Sequence, residues 1–304
     1  MANKKHKNHR SYSKNGLILS VALLLFVGFA IWGVISQATN KSSDELKVGS
    51  AAHPHVFSYA PDGKTVWLGT HLGVYQWLNQ KWIRSVEPLG KNDVMNIEID
   101  PSNTNTIYTS GHGFIKKSED GGSTWKSIET GLPNQPKPDV PDAHLLTMDS
   151  KDSKHLYTMI AGSTNTMYES KDGGASWSKF GAPPSSPYSI AAAPDNGNSI
   201  LAGAEQGLFR YDLVNGTLKE TKIGNDPAFQ LIVLSNGDVI AMGEGGFTRS
   251  SDLKTWVPFK VDLNGEMPLG IRASKTDPNR LVIVTQKLRL IESQDGGKNW
   301  SAAK

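Results

Sequence analysis

Ser118–Trp125 reads SEDGGSTW, Ser170–Trp177 reads SKDGGASW and Ser293–Trp300 reads SQDGGKNW. A shortened copy, SSDLKTW, covers Ser250–Trp256. Asp and Ser side chains accept hydrogen bonds from turn amides, and Gly supplies positive φ. Trp then anchors the outgoing strand through its large apolar surface. Each octet therefore reads as a hairpin turn with local duties, and no catalysis is assigned to it. Upstream of each octet the same order returns: an apolar strand, a turn with DP, PDG or SNG, a second strand, a Gly-rich turn and a third strand. One unit, for example, runs VMNIEIDPSN, TIYTSGHGFIKKS and TWKSIE.

Trp82, Trp125, Trp177, Trp256 and Trp300 lie near multiples of about 44 residues, with the missing marker near Leu218. Four strands repeated at about 40–45 residues describe a β-propeller blade. Six complete units predict an all-β, six-bladed propeller with four-stranded blades. Short alternating strands and no long amphipathic helix argue against an α/β fold. The pattern S-x-D-x-G-x-x-W resembles the Asp-box, or BNR repeat, of sialidase-like and sortilin-like β-propellers. The resemblance covers about residues 50–304 and implies a bacterial exported protein of the glycosyl-hydrolase-like class.

Charge and hydropathy divide the chain before the propeller. The 304 residues include 32 Lys and Arg against 29 Asp and Glu, for a formal charge of +3. Lys4, Lys5, Lys7, Arg10 and Lys14 supply +5 within residues 1–16, so the remainder is slightly acidic. A broad nucleic-acid footprint is thus not expected. Gly16–Ser36, GLILSVALLLFVGFAIWGVIS, carries no charge and is long enough to span a bilayer as a helix. Bases on its N-terminal side predict a cytoplasmic N-terminus. The expected organisation is a basic tail over 1–15, a transmembrane signal-anchor over 16–36, a linker over 37–52 and the propeller over 53–304. Ser36-Gln37-Ala38 also suits signal-peptide cleavage, which would release the same domain. Either way the propeller is expected outside the cytoplasm. With no Cys, disulfides, thiol nucleophiles and Cys-ligated zinc are excluded.

Strand order places the histidines. His53, His55 and His144 fall where first strands begin, and His71 and His112 where second strands end. Both sets lie on one face, called the top, beside the central channel. Imidazole is a usual ligand for Zn²⁺ or Cu²⁺, so these five residues are candidate metal ligands. His53-Pro54-His55 has the i, i+2 spacing that puts both rings on one side of a strand. Asp93 matches His53 in register and is a further oxygen ligand candidate. Met95, Tyr188, Arg272 and Gln286 share the mouth as candidate ligand-binding residues. Polar residues suit a channel mouth in any case, and the rings could instead hold an anionic or sugar ligand.

The resemblance to sialidases raises glycoside hydrolysis. Sialidases clamp a sugar carboxylate with three arginines and carry an F/Y-R-I-P motif, which this chain lacks. A carboxylate pair about 5–10 Å apart remains the minimum for hydrolysis, and Glu205, Glu244 and Asp93 are the candidates. Gly131–His144, GLPNQPKPDVPDAH, is a proline-rich connection on the top face that could serve as a lid or partner ridge. The expected function is a membrane-anchored binding module for a metal or small ligand, able to assist assembly of an envelope complex. A glycosyl hydrolase acting on a glycan is the alternative.

Overall fold

The computed structural model describes residues 45–303, apart from 86–88, 90–91, 137–139 and 196–197. Every strand belongs to a four-stranded antiparallel sheet whose strands are consecutive in the chain. Blade one is β1 (Pro54–Tyr59), β2 (Val66–Thr70), β3 (Gly73–Leu78) and β4 (Lys81–Arg84). Blade two is β5 (Val94–Ile99), β6 (Ile107–Gly111), β7 (Phe114–Ser118) and β8 (Lys126–Ser127). Blade three is β9 (Ala143–Met148), β10 (Leu156–Ile160), β11 (Thr166–Ser170) and β12 (Ser178–Gly181). Blade four is β13 (Ser189–Ala192), β14 (Ser199–Ala204), β15 (Gly207–Val214) and β16 (Thr217–Gly224). Blade five is β17 (Gln230–Val233), β18 (Val239–Gly243), β19 (Gly246–Ser250) and β20 (Val257–Phe259). Blade six is β21 (Pro268–Ala273), β22 (Leu281–Thr285), β23 (Leu290–Ser293) and β24 (Ser301–Ala302). This is the all-β six-bladed propeller implied by the repeat.

First strands touch first strands around the whole ring, from β1 to β5, β9, β13, β17, β21 and back to β1. They therefore line the axis. The second strands are buried on both faces, as in VWLGT of β2 and LVIVT of β22. Their near-continuous apolar runs follow from being sandwiched between two neighbouring blades. Each of six core clusters spans one blade boundary. Phe57, Leu68 and Trp82 of blade one, for instance, pack on Val282, Val284 and Leu290 of blade six. A fully buried side chain of this kind contributes about 1.5–3 kcal/mol. Since each blade completes its own four strands, this apolar boundary closes the ring without a shared sheet.

The octets fold as their residues dictate. Ser118 Oγ accepts from the Gly122 amide at 2.8 Å, and Asp120 Oδ1 accepts from the Thr124 amide at 2.8 Å. Gly121 and Gly122 take φ of 70° and 91°, which favours glycine. Ser170–Trp177 and Ser293–Trp300 repeat these bonds. Trp177 Nε1 donates to the Ile128 carbonyl of blade two at 2.8 Å, so its indole also joins two blades. Blade four has no octet. Its β15–β16 turn uses Asn215 and Gly216, at φ of 50° and 76°, in the manner of a two-residue hairpin.

One boundary differs from expectation. Residues 45–52, expected to be linker, pack on the propeller. Glu45 bridges Ile83, the Leu46 amide donates to the Trp82 carbonyl at 2.8 Å, and Leu46 and Ala52 join the core between blades one and six. The apolar Leu46 and Ala52 give the physical reason. Among the described residues no helix is long and apolar enough to cross a membrane. The expected span over 16–36 lies outside them, as does 137–139 of the proline-rich connection.

The octet carboxylates make stability pH-dependent. Hydrogen bonds from Thr124, from Thr255 and Lys254, and from Asn299 hold Asp120, Asp252 and Asp295 respectively at a pKa of about 2. Ser176 lowers Asp172 in the same way. An unfolded Asp titrates near 3.9. The unfolded chain therefore binds these protons first as pH falls, and the stabilisation, complete above about pH 4, is lost towards about pH 2. Urea midpoints should fall across that window. Replacing the four Asp by Asn should flatten the decline; an unchanged slope would contradict this assignment.

Candidate functional site

The site is built by backbone irregularities at the start of three first strands. In β1 the pairing with β2 passes from Pro54↔Thr70 to Val56↔Gly69 and skips His55. In β5 it skips Met95, and in β9 it skips His144. A β-bulge leaves one residue unpaired and re-aims its side chain. Thr109 and Thr158 donate to the carbonyls of Asn96 and Leu145, just beyond the second and third bulges, at 2.9 and 2.8 Å. His71 and His112 immediately follow β2 and β6, where the chain turns back across the mouth.

These positions converge in two triads. In the first, His55 Nε2 stands 3.1 Å from Asp93 Oδ1, and His71 Nδ1 stands 2.9 Å from Asp93 Oδ2. In the second, Asp142 Oδ1 lies 2.9 Å from His112 Nδ1 and 2.8 Å from His144 Nε2, with the two nitrogens 3.4 Å apart. In each triad the three ligand atoms lie within 4.8 Å of one another. Ligand atoms bonded to an ion at about 2.0–2.1 Å stand roughly 2.9 Å apart at right angles and roughly 3.4 Å apart at tetrahedral angles. The second triad has this spacing on all three sides. His112 also joins the two groups, because its Nε2 is 3.6 Å from Asp93 Oδ2.

Several of these contacts are close without being hydrogen bonds. His55 Nε2, Asp93 Oδ1 and Asp142 Oδ1 are buried and have no hydrogen-bond partner among the described residues. A buried polar atom left unmatched costs about 1–3 kcal/mol, more if charged. Such atoms gathered at contact distance suit a cation placed between them. Burial, and then the neighbouring His71, push the His55 pKa below its ordinary value, despite the opposing pull of Asp93. The resulting neutral imidazole is the metal-binding form. The donor set is nitrogen and carboxylate oxygen without thiolate, which suits Zn²⁺ or Cu²⁺.

The other expected residues have different places. His53 stands outside both triads: its ring is 6.0 Å from that of His71, and its carbonyl accepts from the His71 amide. The acid that meets His55 is instead Asp93 of the neighbouring blade. Met95 lines the channel without supplying a triad atom. Tyr188 is exposed at the mouth with its ring 6.0 Å from that of Phe229. Arg272 lines the channel deeper in. Glu205, Glu244 and Gln286 occupy exposed turns after second strands, and none of them lines the channel. The channel lining thus includes neither Glu205 nor Glu244, whereas Asp93 sits among imidazoles. Asp142 escaped the sequence reading, although Asp142-Ala143-His144 repeats the register of Asp93-Val94-Met95.

No protein-family model matches the chain, and no curated protein matches it. Solved structures do resemble it. One described as YCF48 bound to D1 peptide shares 17% identity at a TM-score of 0.53, covering 84% of this chain and 82% of that one. A GH74 xyloglucanase from Xanthomonas campestris shares 16% identity at a TM-score of 0.54, covering 86% of this chain and 46% of that one. The chain thus spans less than half the length of the xyloglucanase. At these identities the similarity shows the propeller fold.

Gly111 tests the backbone that carries the site. A Cβ there would overlap the Asp93 carbonyl oxygen, whereas Gly245 has open space around it. Gly111→Ala should destabilise the protein by about 1–3 kcal/mol by chemical denaturation. It should also weaken any metal binding at least tenfold, while Gly245→Ala changes neither. Equal behaviour of the two variants would contradict the close approach.

Proposed function

We propose that the protein is a membrane-anchored, extracytoplasmic binding module whose channel mouth holds transition-metal ions, Zn²⁺ or Cu²⁺, one in each triad. The observation that carries this reading is the set of buried, unmatched ligand atoms, His55 Nε2 and Asp93 Oδ1 in one triad and Asp142 Oδ1 in the other. Each triad offers three ligands and leaves coordination positions open, as in sites that accept a further ligand. The uncharged run over 16–36 supports the anchor and the extracytoplasmic location. The hydrogen-bonded octets support placing the chain with the Asp-box propellers.

The further ligand is proposed to come from a protein partner in an envelope complex. A propeller of this fold, YCF48, has a structure bound to a D1 peptide. The exposed Tyr188 and Phe229 rings next to the mouth offer apolar contacts of the kind enriched at interfaces. The GH74 likeness supports the hydrolase alternative, and neither Glu205 nor Glu244 lines the channel.

Zn²⁺ titrated into chelator-treated protein should reach two equivalents per chain by mass spectrometry and calorimetry. Asp142→Asn with His144→Gln should leave one equivalent, as should His55→Gln with His71→Gln. Glu205→Gln should leave both. Failure to retain any ion at micromolar free Zn²⁺ would overturn the reading.

A further inference from the structure

From the mouth inward the channel holds an open cavity of about 250 Å³ between the first strands. Arg272 projects from β21 into its wall. The guanidinium lies 5.4 Å from the centroid of the Phe57 ring on β1, and Nη1 donates to the Ile271 carbonyl at 3.0 Å. Among the described residues no carboxylate lies within ion-pair distance of it. The acid that influences it electrostatically is Glu98 on β5. Glu98 Oε2 is already held by Lys275 Nζ at 2.6 Å. This stretch of channel therefore contains two cations and one carboxylate.

A guanidinium keeps its proton, so it cannot relieve the imbalance by becoming neutral. Arg272 is half-buried, and a charge with restricted access to water is stabilised by pairing and hydrogen bonding. The aromatic face of Phe57 compensates part of that loss and leaves the planar edge of the guanidinium, with its N–H donors, underused. Two uncharged donors line the same cavity. Gln230 Oε1 accepts from the Ile271 amide at 2.7 Å, which leaves its Nε2 group as a donor. Ser189 Oγ accepts from the Leu231 amide at 3.1 Å, which leaves its hydroxyl proton to donate.

We propose that this cavity is an anion site in which Arg272 anchors the carboxylate of a small organic molecule. The guanidinium fork matches a carboxylate in two parallel hydrogen bonds. The net charge of one favours a monoanion over a phosphate dianion. His55 and His144 border the cavity towards the mouth, and Ser150 and Lys275, beyond the ends of β9 and β21, border it at the opposite end, nearer to Arg272. The site itself requires no metal.

The test uses chelator-treated full-length protein, which separates it from the metal reading. Acetate, lactate and benzoate are titrated by calorimetry and ligand-observed NMR, with acetamide as the uncharged control and inorganic phosphate as the competing anion. At least one carboxylate should bind one to one at millimolar concentration or below, and acetamide should not bind. Arg272→Gln should weaken binding tenfold or more, Arg272→Lys should weaken it less, and the exposed Lys260→Gln should leave it unchanged. Circular dichroism and urea midpoints establish that each variant is folded. Should Arg272→Gln not fold, Arg272→Lys carries the comparison, with a measurable loss of affinity expected. Absence of carboxylate binding to the wild type at tens of millimolar would overturn the proposal. So would equal affinity in the arginine variants, or tighter binding of phosphate than of any carboxylate.

Discussion

Apolar packing between neighbouring blades is the constraint on which the molecule depends. A single four-stranded blade has two apolar faces and cannot cover either alone. The six core clusters each lie across a boundary, including the one that brings blade six onto blade one. Ring closure then fixes where every first strand begins. Both triads use that consequence. His55 and His71 from blade one meet Asp93 from blade two, and His112 from blade two meets Asp142 and His144 from blade three. Each triad straddles a boundary, so its geometry is a property of blade packing.

The mouth is asymmetric around the axis. Blades one to three contribute imidazoles and carboxylates. At the corresponding approach to the first strands, blades four to six present Tyr188, Phe229 and Met267, all exposed. The pairing explains part of this division. Bulges occur at the start of β1, β5 and β9, whereas β13 and β17 pair without interruption. β21 also carries a bulge, at Leu269, and places an apolar side chain there. The bulge supplies an orientation, and the residue at it supplies the chemistry.

The fold was legible because the octet residues have strong local preferences. Ser, Asp, Gly and Trp each have one job in the turn, and repetition fixes the period. Blade four could be counted without an octet because its Asn215-Gly216 turn and alternating strands keep that period. The gathering of His55, His71, His112 and His144 at one mouth was also readable from equivalent positions. Asp142 was not found, since an isolated Asp before a strand looks like an ordinary loop residue until it is aligned with Asp93. Strand alternation pairs His53 with His55, whereas the contact that forms is between His55 and Asp93 of the next blade, which only blade packing sets. Packing of Leu46 and Ala52 likewise depends on the distant strands of blade six. The pairing of Lys275 with Glu98 across the channel, which leaves Arg272 without a carboxylate, also requires the closed ring.

X-ray absorption at the metal edge of Zn²⁺-loaded protein addresses the central claim most directly. The account predicts a first shell of nitrogen and oxygen at about 2.0–2.1 Å, with the outer-shell scattering of two imidazoles per ion and no sulfur. A spectrum of hydrated zinc without imidazole scattering would contradict it, because the convergent nitrogen and oxygen atoms would then not be ligands.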